Sequence, residues 1–541
     1  MRLNALLLFM TLGLLACSDD SPAVNPEPEP TPEPDVPEVS VAKSVTIDAG
    51  QTFQTMRGFG ASDCWTPAYV GKYWTNSREE ISELLFSSEI VDGQPKGIGL
   101  SFWRVNMGGG SMEQGDASGI EEPSRRAESF LGTDGIYDWS KCEGQRYFMQ
   151  RAKELGCEDF ILFSNTPPVQ YTRNGQGRSD SGFSSNLKED CYDDFAAYMA
   201  EVAAHYTGEG YNITHISPVN EPQYEWNGRD QEGSGWQNEE VARLVRELDA
   251  ALTAKGLSTQ ILMGEAADWE YLYKVKGNAG SSKVLEAFFT PGSSAYVGDL
   301  SHVGKLIGGH SYWTDGSWDG MRSVRQQMAQ AAAQYGLEVW QTEWSMLGDG
   351  YSSSEFVGYD SATEMDIALY MTKVIHNDLT VGGVTSWSYW VAMDALRTGH
   401  KNRFLLIALN PQGWDGGWGH VTTIAQEGSF RATPTLWALG NYSRFVRPGY
   451  KRIGLTLNEV VNFFGSAYIS PDGKQIVAVY SNLSDKAIRL EETHEGWSGM
   501  PSSIKIYTTS TNKNLQEGIV AADGKVYLDA ESVTTVVYEL K

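Results

Sequence analysis

Two glutamates carry the first chemical signal in this chain. Glu221 closes the apolar run ITHISPVNEP (213–222), whose alternating and β-branched residues suit a buried strand and whose prolines, Pro218 and Pro222, bracket the point where that strand must stop. Glu343 closes an equivalent run, LEVWQTEWS (337–345). In a barrel of parallel strands the C-terminal strand ends form the mouth where chemistry is done, while the interior is filled with side chains. The two glutamates are 122 residues apart, about three strand-plus-helix units at roughly 40 residues each, so they can face each other across such a mouth. Glycoside hydrolysis needs two opposed carboxyl groups, one to protonate the leaving oxygen and one to attack the sugar or activate water. Carboxylates doing this work need neither metal nor organic cofactor, so none is expected.

The elements that must position them are legible as alternation. Strand-like runs at Arg57–Ser62, Ile98–Met107, Asp159–Asn165, Ile213–Asn220, Thr259–Gly264, Leu306–Tyr312, Leu337–Thr342 and Val384–Trp390 are separated by helix-like stretches, which predicts an α/β fold built on a (β/α)8 TIM barrel. The helices are clearest where caps and periodicity agree: Asn238-Glu239-Glu240 reads as an N-cap with an acidic first turn, followed by Val241, Leu244, Val245, Leu248 and Leu252, with Gly256 as the stop. Tyr192–Tyr206 and Met321–Tyr335 show similar faces. Beyond about residue 425 the character changes to short alternating runs such as KQIVAVYSNL, SIKIYTTS and SVTTVVYEL, which predict an attached antiparallel β-sandwich. The short run SVTIDAGQTF near the N-terminus is expected to pack with those strands.

Forty-two basic and 69 acidic residues give a formal net charge of −27, a surface that repels polyanions and excludes nucleic acid as a partner. A neutral polymer suits the chain better, and its 17 Trp and 26 Tyr include faces able to stack on sugar rings. Most of those aromatics are expected simply to fill a large core.

Residues 1–16 read as a signal peptide: Arg2, an apolar stretch too short to span a bilayer, then Leu14-Leu15-Ala16-Cys17. That tetrapeptide resembles a bacterial lipobox, which implies lipidation of Cys17, and Ser18-Asp19-Asp20 looks like an export tag of outer-membrane lipoproteins facing the cell surface. The Pro/Glu-rich segment that follows cannot bury a core and reads as a tether. The expected organisation is a signal peptide over 1–16, a tether over 17–43, strands over 44–56 joining the sandwich, a barrel over 57–435 and the sandwich over 436–541. Cys64, Cys142, Cys157 and Cys191 show no CxxC spacing, so structural zinc is not expected. Their pairing, and the oligomeric state, are open at this level.

The motifs GFGAS at 58, GLSFWRVNMGGGS at 99, SNTPPVQYTRNG at 164, SPVNEPQYEW at 217, QTEWS at 341 and ALGNYSRFVRPGYKRIG at 438 together resemble glycoside hydrolase family 30, over about residues 45–541. The resemblance implies retaining hydrolysis, with Glu221 as acid/base on strand four and Glu343 as nucleophile on strand seven. It implies substrate-binding or orienting roles for Arg104, Asn165, Asn220, His310, Tyr312, Trp387 and Trp390, of which Arg104 matches an arginine that holds the nucleophile. The segments NEPQYEW and QEGSGW resemble the endo-β-1,6-galactanase branch, with Gln231, Glu232 and Trp236 shaping the cleft; the implied substrate is a plant-type polysaccharide such as arabinogalactan side chains. The alternatives are a xylanase or β-1,6-glucanase of the same family or, in another class, a non-catalytic glycan-binding lipoprotein. A binding protein of that kind would normally lose one of the two carboxylates, and this chain keeps both.

Overall fold

Eight parallel strands, most of their residues buried on both faces, close into a barrel. They are β1 (Gly58–Ser62), β2 (Phe102–Asn106), β3 (Asp159–Phe163), β4 (Asn212–Ser217), β5 (Gln260–Ala266), β6 (Val303–His310), β7 (Glu338–Trp344) and β8 (Ser386–Tyr389), hydrogen-bonded in chain order with β8 returning to β1. This is a computed structural model, and it describes residues 40–347, 352–353, 355–458, 460–497, 501–521 and 523–541. The signal-peptide and most of the tether assignments therefore lie outside the described residues.

Period-2 alternation sorts the strand residues between two cores. Phe102, Ile161, Leu262, Leu306 and Trp340 point inward and plug the barrel's closed end, while their chain neighbours Trp103, Leu162, Met263 and Val339 point outward into the larger core shared with the helices. The main helices are Arg78–Phe86, Glu143–Glu154, Tyr192–Gly208, Asn238–Lys255, Val284–Phe289, Trp318–Gln334, Glu364–Thr380 and Pro434–Ser443. In Asn238–Lys255 the cap is Gln237 rather than Asn238: Gln237 and Glu240 form a reciprocal capping box, and Gly256 ends the helix in a left-handed conformation at φ 65°. Asn238 instead donates to Ser282 O from a buried position.

The second unit is a nine-stranded, largely antiparallel sheet. Its first strand, Ser40–Thr55, pairs antiparallel with Lys451–Leu457 but parallel with Ala487–Glu495, a parallel pair that short alternating runs gave no way to foresee. Val45, Ile47, Ile453, Ile476, Ile488 and Val536 share the sheet's own core. Helix Pro434–Ser443 straddles the expected boundary at residue 435 and rivets the two units. Its Leu436, Trp437 and Leu439 enter the barrel-side core, and Asn441 Nδ2 donates to Tyr507 O and Thr535 Oγ1 in the sheet.

Candidate functional site

Strand parity alone does not bring the carboxylates together. Phe102 points into the barrel, so Arg104 does too, and on β6 Leu306 carries His310 inward in the same way. Glu343, however, is an odd number of residues from the inward Trp340. A register shift between Gln341 and Glu343 breaks the alternation and turns Glu343 into the mouth beside the inward Thr342. β5 does the same: between Met263 and Ala266 the register slips, Glu265 takes φ 49°, and its carboxylate reaches the interior instead of the helix layer. Gly264, at φ 104°, makes that bulge feasible, because a Cβ there would sit 2.4 Å from Gly308 O. β4 ends at Ser217, and Glu221 arrives by a further turn with φ 42°, its N–H donating to Glu265 O at 3.0 Å.

The result is a closed network of buried ionisable groups. Arg104 donates from Nη1 to Glu343 and Ser62 Oγ, both at 3.0 Å, and from Nη2 to Asn220 Oδ1 at 3.1 Å and Glu265 at 3.2 Å. Its guanidinium lies 3.7 Å over the Phe163 ring. Tyr312 OH donates to Glu343 Oε1 at 3.0 Å, and Thr342 Oγ1 to Glu265 at 3.0 Å. His310 bridges the two sides, with Nδ1 2.9 Å from Glu221 and Nε2 3.0 Å from Glu265. Ligand-type atoms of Glu221, His310 and Glu343 all lie within 4.8 Å of one another. A metal ion would need lone pairs that His310 has committed to its two carboxyl partners, and the cationic role beside Glu343 is already filled by Arg104.

Burial opposes the charged form of His310, but Glu343, Glu221 and Glu265 outweigh it and raise the ring to about 10, so it is an imidazolium donating from both nitrogens at neutral pH. For Glu265 burial pushes upward, yet Arg104, His310 and Thr342 prevail and hold the carboxyl below its ordinary value. Burial lifts Glu343 above the ordinary range, with His310 and Arg104 pulling it back only in part and Glu221 and Glu265 adding to the rise. Burial, reinforced by Glu343, also keeps the Tyr312 hydroxyl protonated. The cluster thus holds two cations and three carboxyl groups, and it is neutral when one carboxyl keeps its proton.

Above this network opens a hollow of about 130 Å³ whose walls include Trp65, Asn220, Glu221, Tyr312, Glu343 and Trp390. Trp390 meets Trp65 edge-on at 5.1 Å. Trp387 does not take part: it is fully buried, its indole N–H bonds Asp378 at 2.9 Å, and it belongs to the core rather than to a sugar subsite. The reason is parity, since Trp387 shares the outward face of β8 with Tyr389. Asn165 lies beside the lining, buried, with Nδ2 at 3.5 Å from Asn106 Oδ1. Gln231 lines the hollow, whereas Trp236 is buried and Glu232 accepts from the N–H groups of Gly109 at 2.9 Å and Ser111 at 3.1 Å, tying the loop after β4 to the loop after β2. Cys64, Cys142, Cys157 and Cys191 are all unpaired. Sequence reasoning missed Glu265, although ILMGEA has the signal used for its partners, an apolar strand closed by a carboxylate. It also missed Trp65, Trp226 and Arg125, which sit in loops and carry no periodicity.

A family model described as O-Glycosyl hydrolase family 30 matches residues 42–400. An endo-beta-1,6-galactanase of Hypocrea rufa is 25% identical over 370 residues, 65% of this chain and 67% of that protein. Glucuronoxylanase XynC of Bacillus subtilis (strain 168) is 24% identical over 508 residues, 92% of this chain and 93% of that protein. The crystal structure of a conserved exported protein from Bacteroides fragilis superposes with a TM-score of 0.82 at 30% identity, covering 92% of this chain and 100% of its own.

Proposed function

The chain belongs to O-glycosyl hydrolase family 30, and from that premise we propose that it is a retaining endo-glycosidase acting through Glu343 as nucleophile and Glu221 as acid/base. One observation carries the reading: carboxylate oxygens of Glu221 and Glu343 lie within 4.8 Å of each other. Direct attack on the sugar calls for carboxyl groups about 5 to 5.5 Å apart, whereas inversion needs a wider gap to seat a water.

The surroundings divide the labour. Arg104 and Tyr312 each donate to Glu343, fixing its oxygens and favouring the carboxylate that attacks the anomeric carbon. Glu221, acting as the acid, passes a proton to the glycosidic oxygen as the carbon–oxygen bond breaks. Glu343 becomes a neutral ester, and the departed sugar carries the proton away as a hydroxyl. Glu221, now a carboxylate held by His310, takes a proton from water as that water attacks the same carbon and Glu343 is released. Two displacements on one carbon retain its configuration. Proton NMR of the first sugar released checks this; an inverted anomer at early times would overturn it.

For the substrate we favour the interior of a β-1,6-linked galactan, such as arabinogalactan side chains. The support is the resemblance of the loops after β3 and β4 to the galactanase branch, together with the similarity to the Hypocrea rufa protein. Among the described residues the cation lining the hollow is Arg125, which lies over the Trp65 ring and 4.0 Å from Asp394 and so leaves little uncompensated charge for a uronate. Incubation with β-1,6-galactan, glucuronoxylan, xylan and β-1,6-glucan decides, and activity on xylan with none on galactan replaces this reading. A Glu343→Gln protein that binds polymer as wild type does, beside a wild type that releases no sugar, would make the chain a glycan-binding protein.

We further propose that the mature protein is displayed on the cell surface from a lipidated Cys17. The reading is supported by the lipobox-like LLAC at 14–17 and by the similarity to a protein described as exported. Intact-mass analysis of membrane-extracted protein should show an acylated N-terminal cysteine; an unmodified chain starting elsewhere would refute it.

A further inference from the structure

A second hollow of about 280 Å³ opens beside the first, and the residues bordering each differ in an informative way. Glu221 borders both hollows, whereas Glu343 borders only the first. A nucleophile must reach the anomeric carbon of the sugar that stays, and the acid must reach the oxygen that leaves. The hollow next to the acid but not the nucleophile is therefore on the departing side of the scissile bond.

Its walls include exposed aromatic side chains. Tyr224 is 53% and Trp313 55% exposed, and Tyr224 stands edge-on to Trp226 at 5.0 Å. Trp226 and Trp313 each have φ of 53°, a backbone conformation that a bulky residue adopts only at a cost. Folding gains little from straining the chain to leave a tryptophan face in water. Trp226 is also tied to the acid itself, its indole N–H donating to Glu221 O at 3.2 Å.

We propose that Tyr224, Trp226 and Trp313 form the leaving-group subsite, a platform on which the departing neutral sugar unit stacks while Glu221 protonates its oxygen. This rests on the retaining-glycosidase reading and adds to it which side of the cut each hollow serves and which residues set the preference for a polymeric leaving group.

The test compares two substrates sharing one glycone: the polysaccharide that wild type cleaves, and the corresponding β-glycosyl fluoride, whose leaving atom is too small to touch Trp313. Trp313→Ala and Tyr224→Ala are the variants, each checked for an unaltered thermal midpoint, as expected for half-exposed side chains. In each, kcat/KM on the polymer should fall at least tenfold further than on the fluoride, a selectivity of about 1.4 kcal/mol. An acceptor enters where the leaving group left, so transfer from the glycosyl-enzyme to an added oligosaccharide should drop in favour of transfer to water. Equal losses on both substrates, no loss on either, or undiminished transfer to the acceptor overturn the subsite. A wild type that releases sugar from no polymer overturns the functional reading instead.

Discussion

His310 Nε2 lies 3.0 Å from the carboxylate of Glu265, so the imidazolium that touches Glu221 is anchored from behind. Glu265 is a positioning residue, and removing its charge acts through its neighbours. Glu265→Gln should lower kcat by about 10- to 100-fold, the usual cost of losing an orienting partner, with KM changed little. Glu265 is one of the groups that raise His310, so its loss should lower the pH at which the imidazolium gives up its proton, read from the ring's carbon-bound proton shifts in NMR. A reduced rate with an unmoved ring titration would reduce Glu265 to a packing role.

The two catalytic glutamates should fail in different ways. In Glu343→Ala, azide or formate can fill the vacated space and yield a product of inverted configuration. In Glu221→Ala, an activated aryl glycoside still forms the covalent intermediate, and azide yields a retained product. Loss of either group should cost several orders of magnitude on polymer, on the order of the 10⁴ to 10⁶ seen when a nucleophile or its proton-transfer partner is removed. Rescue with the opposite stereochemistry would mean the roles are exchanged.

Arg104→Lys keeps the charge but not the fork. The guanidinium serves Ser62, Asn220, Glu265 and Glu343 from two nitrogens, and a compact ammonium cannot span four acceptors. A fall in kcat of about 10² to 10³ is expected, by analogy with loss of one transition-state donor. Circular dichroism should confirm that the fold persists; a variant near wild-type rate would show that charge alone suffices.

Glu232 gives a stability signature separate from catalysis. Burial lifts its carboxyl to about 7, with the Ser111 hydroxyl and the N–H groups of Gly109 and Ser111 pulling it only partly back, and burial lifts Asp63 to about 7 as well. Between the ordinary carboxyl range and pH 7 the folded chain therefore binds more protons than the unfolded one, so stability falls as pH rises through that window. The loss is on the order of 3 kcal/mol for Glu232 and 4 kcal/mol for Asp63. Glu232→Gln cannot titrate and should flatten the fall between pH 4.5 and 7 in urea unfolding; an unchanged slope would mean that Glu232 is ionised throughout.

The eight strands were legible from the alternation of strand-like and helix-like stretches and, in runs such as DFILF and QILMGEA, from apolar residues too insoluble to be anything but a core. Glu221 and Glu343 stood out as carboxylates closing such runs. Parity explains one error on the strands: Trp387 was assigned to the site although it alternates with the inward positions of β8. Glu265 was passed over because the strand was ended at Gly264, one residue short of the carboxylate near its close. Alternation is a local property, whereas a bulge answers to what the neighbouring strands require. Loop residues such as Trp226 and Arg125 have no period at all, and only the closed barrel brings them to Glu221.

The strand Ser40–Thr55 sets an order on how the molecule can be built. Val45 faces Leu457, and Ala42 faces Arg489, so a segment made first waits for partners made last. Loop closure over so long a chain is slow, and until it happens the strand offers unpaired N–H and C=O groups to any neighbour. The barrel, whose strands pair in chain order, can assemble ahead of it. C-terminally clipped forms should then hold a native-like barrel beside a sticky, unsatisfied ribbon, which makes completion of the C-terminal sheet the step that separates a closed molecule from an aggregating one.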